Sequence, residues 1–409
     1  MKVLIISNYF YPENIIAAFR MNAFAKYFRE AGHDVTVITG GDTTRTEEWE
    51  GCTVHYVTDP TYRQYIPRQY AGSLRKWSIS RIAKALEYRL TLHTAYLHEK
   101  KMMRLALRLI RENGGYDCIL TTGSYGIDTN AVGLYLRRKG VKSYWIADFR
   151  DEPKFPDPHR WDINRYVLKC NKKLIQDIYD SSDLLLSVST PLVDMLRASS
   201  AHGNVLEIRN GYDYPEVYSD YFQPVFTMSY IGHLYKDVTP DNWFRAFATL
   251  IADGLIPTDS RIKIVGNPIP VNVPESIRDN VLLLPAVDHD EAVRISIHES
   301  DALVMIYSRK KGRKGVYSGK LLDYLATNKP IISIYDPEDV TGALMAETGA
   351  GFAVADDDVE GIRDAILACY RLWENRLSMP RNWELIRTFR RRHQVGLLLD
   401  YLRRTTTLR

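Results

Sequence analysis

DALVMIYSRKKGRKGVYSGKLLDYLATNKPIISI, residues 301–334, carries the pattern that decides the fold. The apolar run Ala302–Ile306 reads as a buried strand and Pro330–Ile334 as another, with a helical pattern beginning near Ser318 between them. Strand, helix and strand within one such stretch make a parallel crossover unit. Five cations in six residues (Arg309, Lys310, Lys311, Arg313, Lys314) precede the helix. The free N–H groups and dipole of a helix start favour an anion, and a diphosphate is the natural guest. Tyr317, Ser318, Gly319 and Lys320 then belong to its binding site, with Lys320 adding charge in the first turn. Asp323, three residues on and on roughly the same face, is placed to accept hydrogen bonds from ribose hydroxyls. The plainer alternative is a flexible cationic loop with Asp323 on the surface.

The same alternation extends in both directions. Strands are expected at Thr227–Ile231, Arg261–Val265, Val281–Leu284 and Phe352–Val354 in the second half. In the first half they fall at Lys2–Ser7, Asp34–Thr39, Thr53–Val57, Asp117–Thr121, Ser143–Ala147, Leu184–Val188 and Val205–Ile208. Phe24, Tyr27, Phe28 and Ala31 recur at helical spacing before Gly32, so a helix packs on the first sheet and stops there. Two doubly wound α/β units in series are the simplest reading. The turn-rich stretch Asn210–Val225 separates them, giving domains at 1–218 and 219–385, with a basic terminal helix at 386–409 packing back across them. Ligands of open α/β sheets bind beyond the carboxyl ends of the strands, so two such domains facing one another enclose a cleft.

The 409 residues are 45% hydrophobic and 25% charged, which excludes a disordered chain. The net charge of +4 hides an uneven distribution: Pro60–Arg111 holds twelve Lys or Arg against two acids, a net +10. Rings and aliphatics are interleaved with these cations. Arg75, Lys76, Arg81 and Lys84 then fit a basic amphipathic surface for anionic lipid or a phosphate-bearing acceptor, or a solvated helical face. Overall charge gives no reason to expect nucleic acid. Four scattered cysteines without a CxxC pair read as reduced thiols, and no apolar run is long enough to span a membrane. The expected location is cytoplasmic, peripheral on the inner face of the cell membrane.

In the first half the initial βα turn, SNYFYPENIIAAFR, lacks GxGxxG and so is no dinucleotide site. Arg20 in the following helix is placed to face the cleft. Asp148, Arg150 and Asp151 sit at the carboxyl end of a buried strand, where α/β enzymes place polar site groups. An Arg between two Asp can pair with one carboxylate and leave the other for a substrate hydroxyl. In the second half Gly232, His233 and Lys236 close the first strand: the glycine permits close approach of a ligand and the lysine supplies charge to a phosphate. Asp356-Asp357-Asp358 and Asp288-His289-Asp290 read as helix starts rather than metal ligands. No metal or other cofactor is indicated.

The ordered set YFYPEN (9–14), GHDVTVIT (32–39), ADFRD (147–151), IRNGYD (208–213), SYIGHLYKD (229–237) and SGKLLDYLATNKPII (318–332) resembles the retaining GT-B glycosyltransferases of family four, especially bacterial members that build cell-surface polysaccharides. The resemblance implies two Rossmann-like domains facing across a cleft. It implies transfer of a hexose or aminohexose from a UDP- or GDP-linked sugar, as co-substrate, to a glycan or polyprenyl-linked acceptor with retention of configuration. The donor diphosphate falls to Gly232, Lys236 and Lys320, the ribose to Asp323, and the surroundings of the reacting sugar to Asp148 and Asp151. The family's first carboxylate falls at Gly315 and its usual arginine at His233. Without a carboxylate pair, Lys320 would act by stabilising the leaving diphosphate. A non-catalytic GT-B scaffold partnering an active transferase, and a sugar-nucleotide epimerase, are the rival readings.

Overall fold

A computed structural model describes residues 1–58, 90, 96–123, 129–153, 155–157, 159, 164–218, 221–232, 234, 238–266, 271–307, 315 and 317–406. The chain forms two compact units, residues 1–209 with 395–409, and residues 210–394.

The first unit carries β1 (Lys2–Ile6), β2 (Asp34–Gly41), β3 (Arg45–Trp49), β4 (Cys52–Thr58), β5 (Cys118–Gly123), β6 (Tyr144–Phe149), β7 (Leu184–Ser187) and β8 (Val205–Glu207). Their order across the sheet is β3-β4-β2-β1-β5-β6-β7-β8, and the pairing is parallel except between β3 and β4. Its helices are α1 (Ile16–Glu30), α2 (Tyr96–Glu112), α3 (Asn130–Arg138), α4 (Arg165–Ser181) and α5 (Thr190–Ser199). Because side chains alternate across a strand, Val3 and Ile5 join the apolar cluster that α1 covers, while Leu4 and Ile6 join the one beneath α2 and α3. Phe24 and Phe28 are fully buried on α1, and Gly32 follows its end at φ +83°. Strand β3 was not expected from its polar sequence, RTEEW. It survives at the sheet edge, joined to β4 by Glu50 and Gly51, both at positive φ (50° and 74°), as a two-residue hairpin turn requires.

The second unit carries β9 (Thr227–Ile231), β10 (Arg261–Val265), β11 (Val281–Leu284), β12 (Ala302–Ile306), β13 (Ile331–Ile334) and β14 (Gly351–Val354). Helices α6 (Asp241–Ala252), α7 (His289–His298), α8 (Gly319–Leu325), α9 (Val340–Thr348), α10 (Val359–Glu374) and α11 (Trp383–Arg387) accompany them. The all-parallel order β11-β10-β9-β12-β13-β14 starts in the middle, runs to one edge, returns and runs to the other. That is the Rossmann order, and its switch point lies between β9 and β12. Ligands of such sheets bind at the carboxyl ends of the strands flanking this point.

The chain passes to the second unit at Asn210 rather than Ser219, because Tyr212 is fully buried there and its N–H donates to the Phe389 carbonyl at 3.3 Å. The last helix, α12 (Arg391–Thr406), places Val395, Leu398, Leu399 and Leu402 in the core of the first unit. Those four recur at one helical face, so burial rather than propensity holds this terminus.

Candidate functional site

The two elements flanking the switch point of the second sheet bring Gly232 and Lys320 together. Gly232 follows β9 at φ +134°, and a Cβ built on it would lie 2.0 Å from Lys320 Nζ. Only glycine leaves room for that ammonium. Lys320 Nζ donates to Tyr230 Oη at 3.2 Å and stands 4.7 Å from the ring centroid, a cation–π contact. Among the described residues no carboxylate pairs with it, and burial alone lowers its pKa to about 8. The lysine is therefore a partly desolvated cation that no described carboxylate pairs, at the place where a doubly wound sheet takes an anion.

Helix α8 holds this geometry through tyrosines. The Ile231 N–H donates to Tyr324 Oη at 3.1 Å, the Ser318 N–H to Tyr307 Oη at 2.9 Å, and the Tyr214 hydroxyl to the Asp323 carbonyl. The helix has seven residues, too short for a strong dipole, so attraction for an anion rests on Lys320. Asp323 lies one turn along. Its Oδ2 is 3.9 Å from His289 Nδ1, and its buried Oδ1 has no hydrogen-bond partner among the described residues. Burial pushes its pKa up to about 7, opposed by Arg391 and reinforced by Asp213. Arg391 and Asp213 form an ion pair at 3.1 Å. Burial and Arg391 lower the pKa of His289. A cation beside a carboxylate with open lone pairs suits a ligand that combines phosphate with vicinal hydroxyls.

The other expected donor residues divide. Ser318 is half-buried as the residue before α8, and Gly319 is buried within its first turn. Tyr317 is 8% exposed and belongs to the apolar cluster of Leu303, Met305 and Leu321, so it supports the turn by packing. His233, Lys236 and the cationic run Arg309–Lys314 lie outside the described residues. Gly315 turns at φ +80°, and its N–H donates to Asp339 Oδ1 at 2.8 Å.

In the first unit Asp148 does not pair with Arg150. Arg20 takes it in a bidentate pair, Nε to Oδ2 at 3.1 Å and Nη2 to Oδ1 at 2.7 Å, while Nη1 donates to the Ile208 carbonyl at 2.7 Å. Thr122 Oγ1 donates to the same Oδ2 at 3.0 Å. Arg20 is 4% exposed and Asp148 is 0% exposed. This pair cross-links α1, β6 and the end of β8, which corrects the expectation that Arg20 meets acceptor and Asp148 meets substrate. Arg150 and Asp151 remain half-buried at the carboxyl end of β6. Arg75, Lys76, Arg81 and Lys84 lie outside the described residues, but α2 continues their basic segment with Lys101, Arg104, Arg108 and Arg111 all exposed.

Asp288 and Asp358 cap helices, accepting the Glu291 and Gly361 N–H at 2.8 and 2.9 Å. No three His, Cys, Asp or Glu side chains among the described residues could hold a metal ion. No described helix is long and apolar enough to cross a membrane. Tyr230, Tyr324 and His289 are site neighbours that motif reading passed over. The two tyrosines lie inside quoted motifs and His289 inside a quoted helix start, but nothing in the sequence ties His289 to Asp323.

No protein-family model matches the chain, and no curated protein matches it by sequence. Its fold is that of GT-B glycosyltransferase structures. One from Rickettsia africae superposes with a TM-score of 0.59 at 12% identity, covering 98% of this chain and 97% of its own. The Anabaena protein Alr3699/HepE, solved in complex with UDP-glucose, gives 0.55 at 13% identity over 98% and 100%. The lipopolysaccharide outer core galactosyltransferase WaaB gives 0.54 at 12% identity over 99% and 100%.

Proposed function

We propose that the chain is a glycosyltransferase that moves a hexose or aminohexose from a nucleotide-diphosphate sugar to a lipid-linked glycan, with retention of anomeric configuration, in surface polysaccharide synthesis. One observation carries the reading: Lys320, unpaired by any described carboxylate, occupies the space left by Gly232 at the switch point of the second sheet, with Asp323 one turn away. Lys320 meets the diphosphate and gains strength as negative charge develops on the leaving group. Asp323 accepts the ribose hydroxyls. Lys320 offsets one of the two negative charges of the diphosphate, and no metal is invoked. A UDP-linked donor is favoured by the UDP-glucose complex of the similar Anabaena structure.

The first unit takes the acceptor, with Arg150 and Asp151 as the polar groups at the carboxyl end of β6. The acceptor hydroxyl attacks the face from which the nucleotide departs. The basic segment through α2 rests on anionic lipid at the inner face of the cell membrane. Gly315, standing where the resembling family has a carboxylate, favours one rival, a scaffold that binds nucleotide without turnover.

The test is incubation with a panel of UDP- and GDP-sugars and a lipid-linked glycan. Release of nucleoside diphosphate with a product of unchanged anomeric configuration by NMR is expected. An inverted product removes the retaining mechanism, and tight nucleotide binding without any release from any donor leaves the scaffold.

A further inference from the structure

Gly315 leaves the donor site without a carboxylate at its own position, yet the fold brings one there from another element. Asp339 ends the turn after β13 and caps α9, its Oδ1 accepting the Val340 N–H at 2.8 Å. The same Oδ1 accepts the Gly315 N–H at 2.8 Å, across 24 residues of sequence. Asp339 is 6% exposed, and its buried Oδ2 has no hydrogen-bond partner among the described residues. Capping the helix and holding Gly315 both use one oxygen. The other is a buried carboxyl oxygen, which is costly unless something donates to it.

The position matches the site already described. Strand β13 pairs with β12, and Asp339 lies beyond its carboxyl end, on the rim that carries Gly232 and Lys320. Tyr307 connects the two: its hydroxyl accepts the Ser318 N–H at 2.9 Å, and the charge of Asp339 adds to the burial that raises its pKa. From Gly315 to the Ser318 cap of α8 is three residues, at most about 10 Å of chain. A sugar joined to a diphosphate carries hydroxyl donors of the kind that Oδ2 lacks.

We propose that Asp339 accepts hydrogen bonds from the hydroxyls of the donor sugar through Oδ2, in place of a carboxylate at residue 315. This rests on the donor-site reading above. The test compares nucleotides with and without a sugar: wild type, Asp339→Asn and Asp339→Ser are titrated with UDP, GDP, UDP-glucose and GDP-mannose. Asn and Ser both retain an oxygen that caps α9, and unliganded melting temperatures show that each variant folds. The expected result is unchanged affinity for the bare nucleoside diphosphate and a roughly tenfold or greater loss for its sugar conjugate, the value of a hydrogen bond to a charged group. Equal effects on both ligands, or none on the conjugate, overturn the proposal. Binding of none of the four by wild type overturns the donor-site reading and this assignment with it.

Discussion

Lys320 Nζ occupies the space that a side chain on Gly232 would need, 2.0 Å from the position of its Cβ. Eighty-eight residues apart in the chain, the two meet because β9 and β12 flank the switch point of a doubly wound sheet. Among the described residues the ammonium contacts a tyrosine ring and hydroxyl and no acid, which leaves its charge to a ligand.

Replacing Lys320 by Ala removes that charge while leaving its backbone on α8. Nucleoside-diphosphate affinity should fall by about 1–3 kcal/mol, the value of a charge-assisted hydrogen bond, as measured by calorimetric titration. Unchanged affinity would move the diphosphate elsewhere.

Gly232→Ala should produce nearly the same binding defect without touching the lysine. The methyl group has to displace Nζ, and a backbone at φ +134° is strained for alanine. In Gly232→Ala/Lys320→Ala the steric conflict is gone, so the double variant should be more stable to urea than additivity of the singles predicts. Strict additivity would mean the two side chains do not compete for one space.

Binding should depend on pH in two opposite directions. Asp323, its pKa raised to about 7, must ionise to accept ribose hydroxyls, so affinity rises as pH increases through about 7. Lys320, lowered to about 8, must stay protonated to meet the diphosphate, so affinity falls as pH increases through about 8. A nucleotide sugar is the right probe because its diphosphate lacks the titrating terminal group of UDP. Asp323→Asn should abolish the acid limb alone; survival of that limb would assign it to another group.

The Arg20–Asp148 pair should govern stability. Asp148→Asn leaves a buried guanidinium without its counter-charge, at a cost of about 3–5 kcal/mol in denaturant unfolding. Arg150→Ala and Asp151→Ala, at half-buried positions, should each change stability far less and lower transfer to acceptor instead. The opposite pattern would return Asp148 to the substrate.

Anionic vesicles should retain the protein and neutral ones should not, and charge reversal at Arg75, Lys76, Arg81 and Lys84 together should remove the difference. Each basic residue near such a surface contributes about 1 kcal/mol. Equal binding to neutral vesicles would sink the membrane role of the basic segment.

What the sequence made legible was what depends on local pattern. The apolar runs at 302–306 and 330–334 predicted strands that are present as β12 and β13, and Phe24, Tyr27 and Phe28 predicted the buried face of α1. Strand β3 was missed because its residues are polar and only its pairing with β4 makes it a strand. That Lys320 and Asp323 lie on a helix just after β12 was readable from the pattern; their role as donor contacts is the proposal. The bond from Arg20 to Asp148 spans 128 residues and that from Asp339 to Gly315 spans 24, so neither pairing leaves a spacing signal. The DFRD motif pointed to a local pair that the buried Arg20 pre-empts, with two charge-assisted bonds and the burial of both partners.

A nucleotide sugar bound at Lys320 and Asp323 should be seen in a thermal-shift titration of wild type, Lys320→Ala and Asp323→Ala against UDP- and GDP-sugars. At about 100 times its dissociation constant a ligand stabilises by about 2.7 kcal/mol. At least one donor should raise the wild-type melting temperature accordingly, and the same concentration should shift both variants much less. Equal shifts in all three proteins, or none in wild type with any donor, would mean that no nucleotide sugar binds at Lys320 and Asp323.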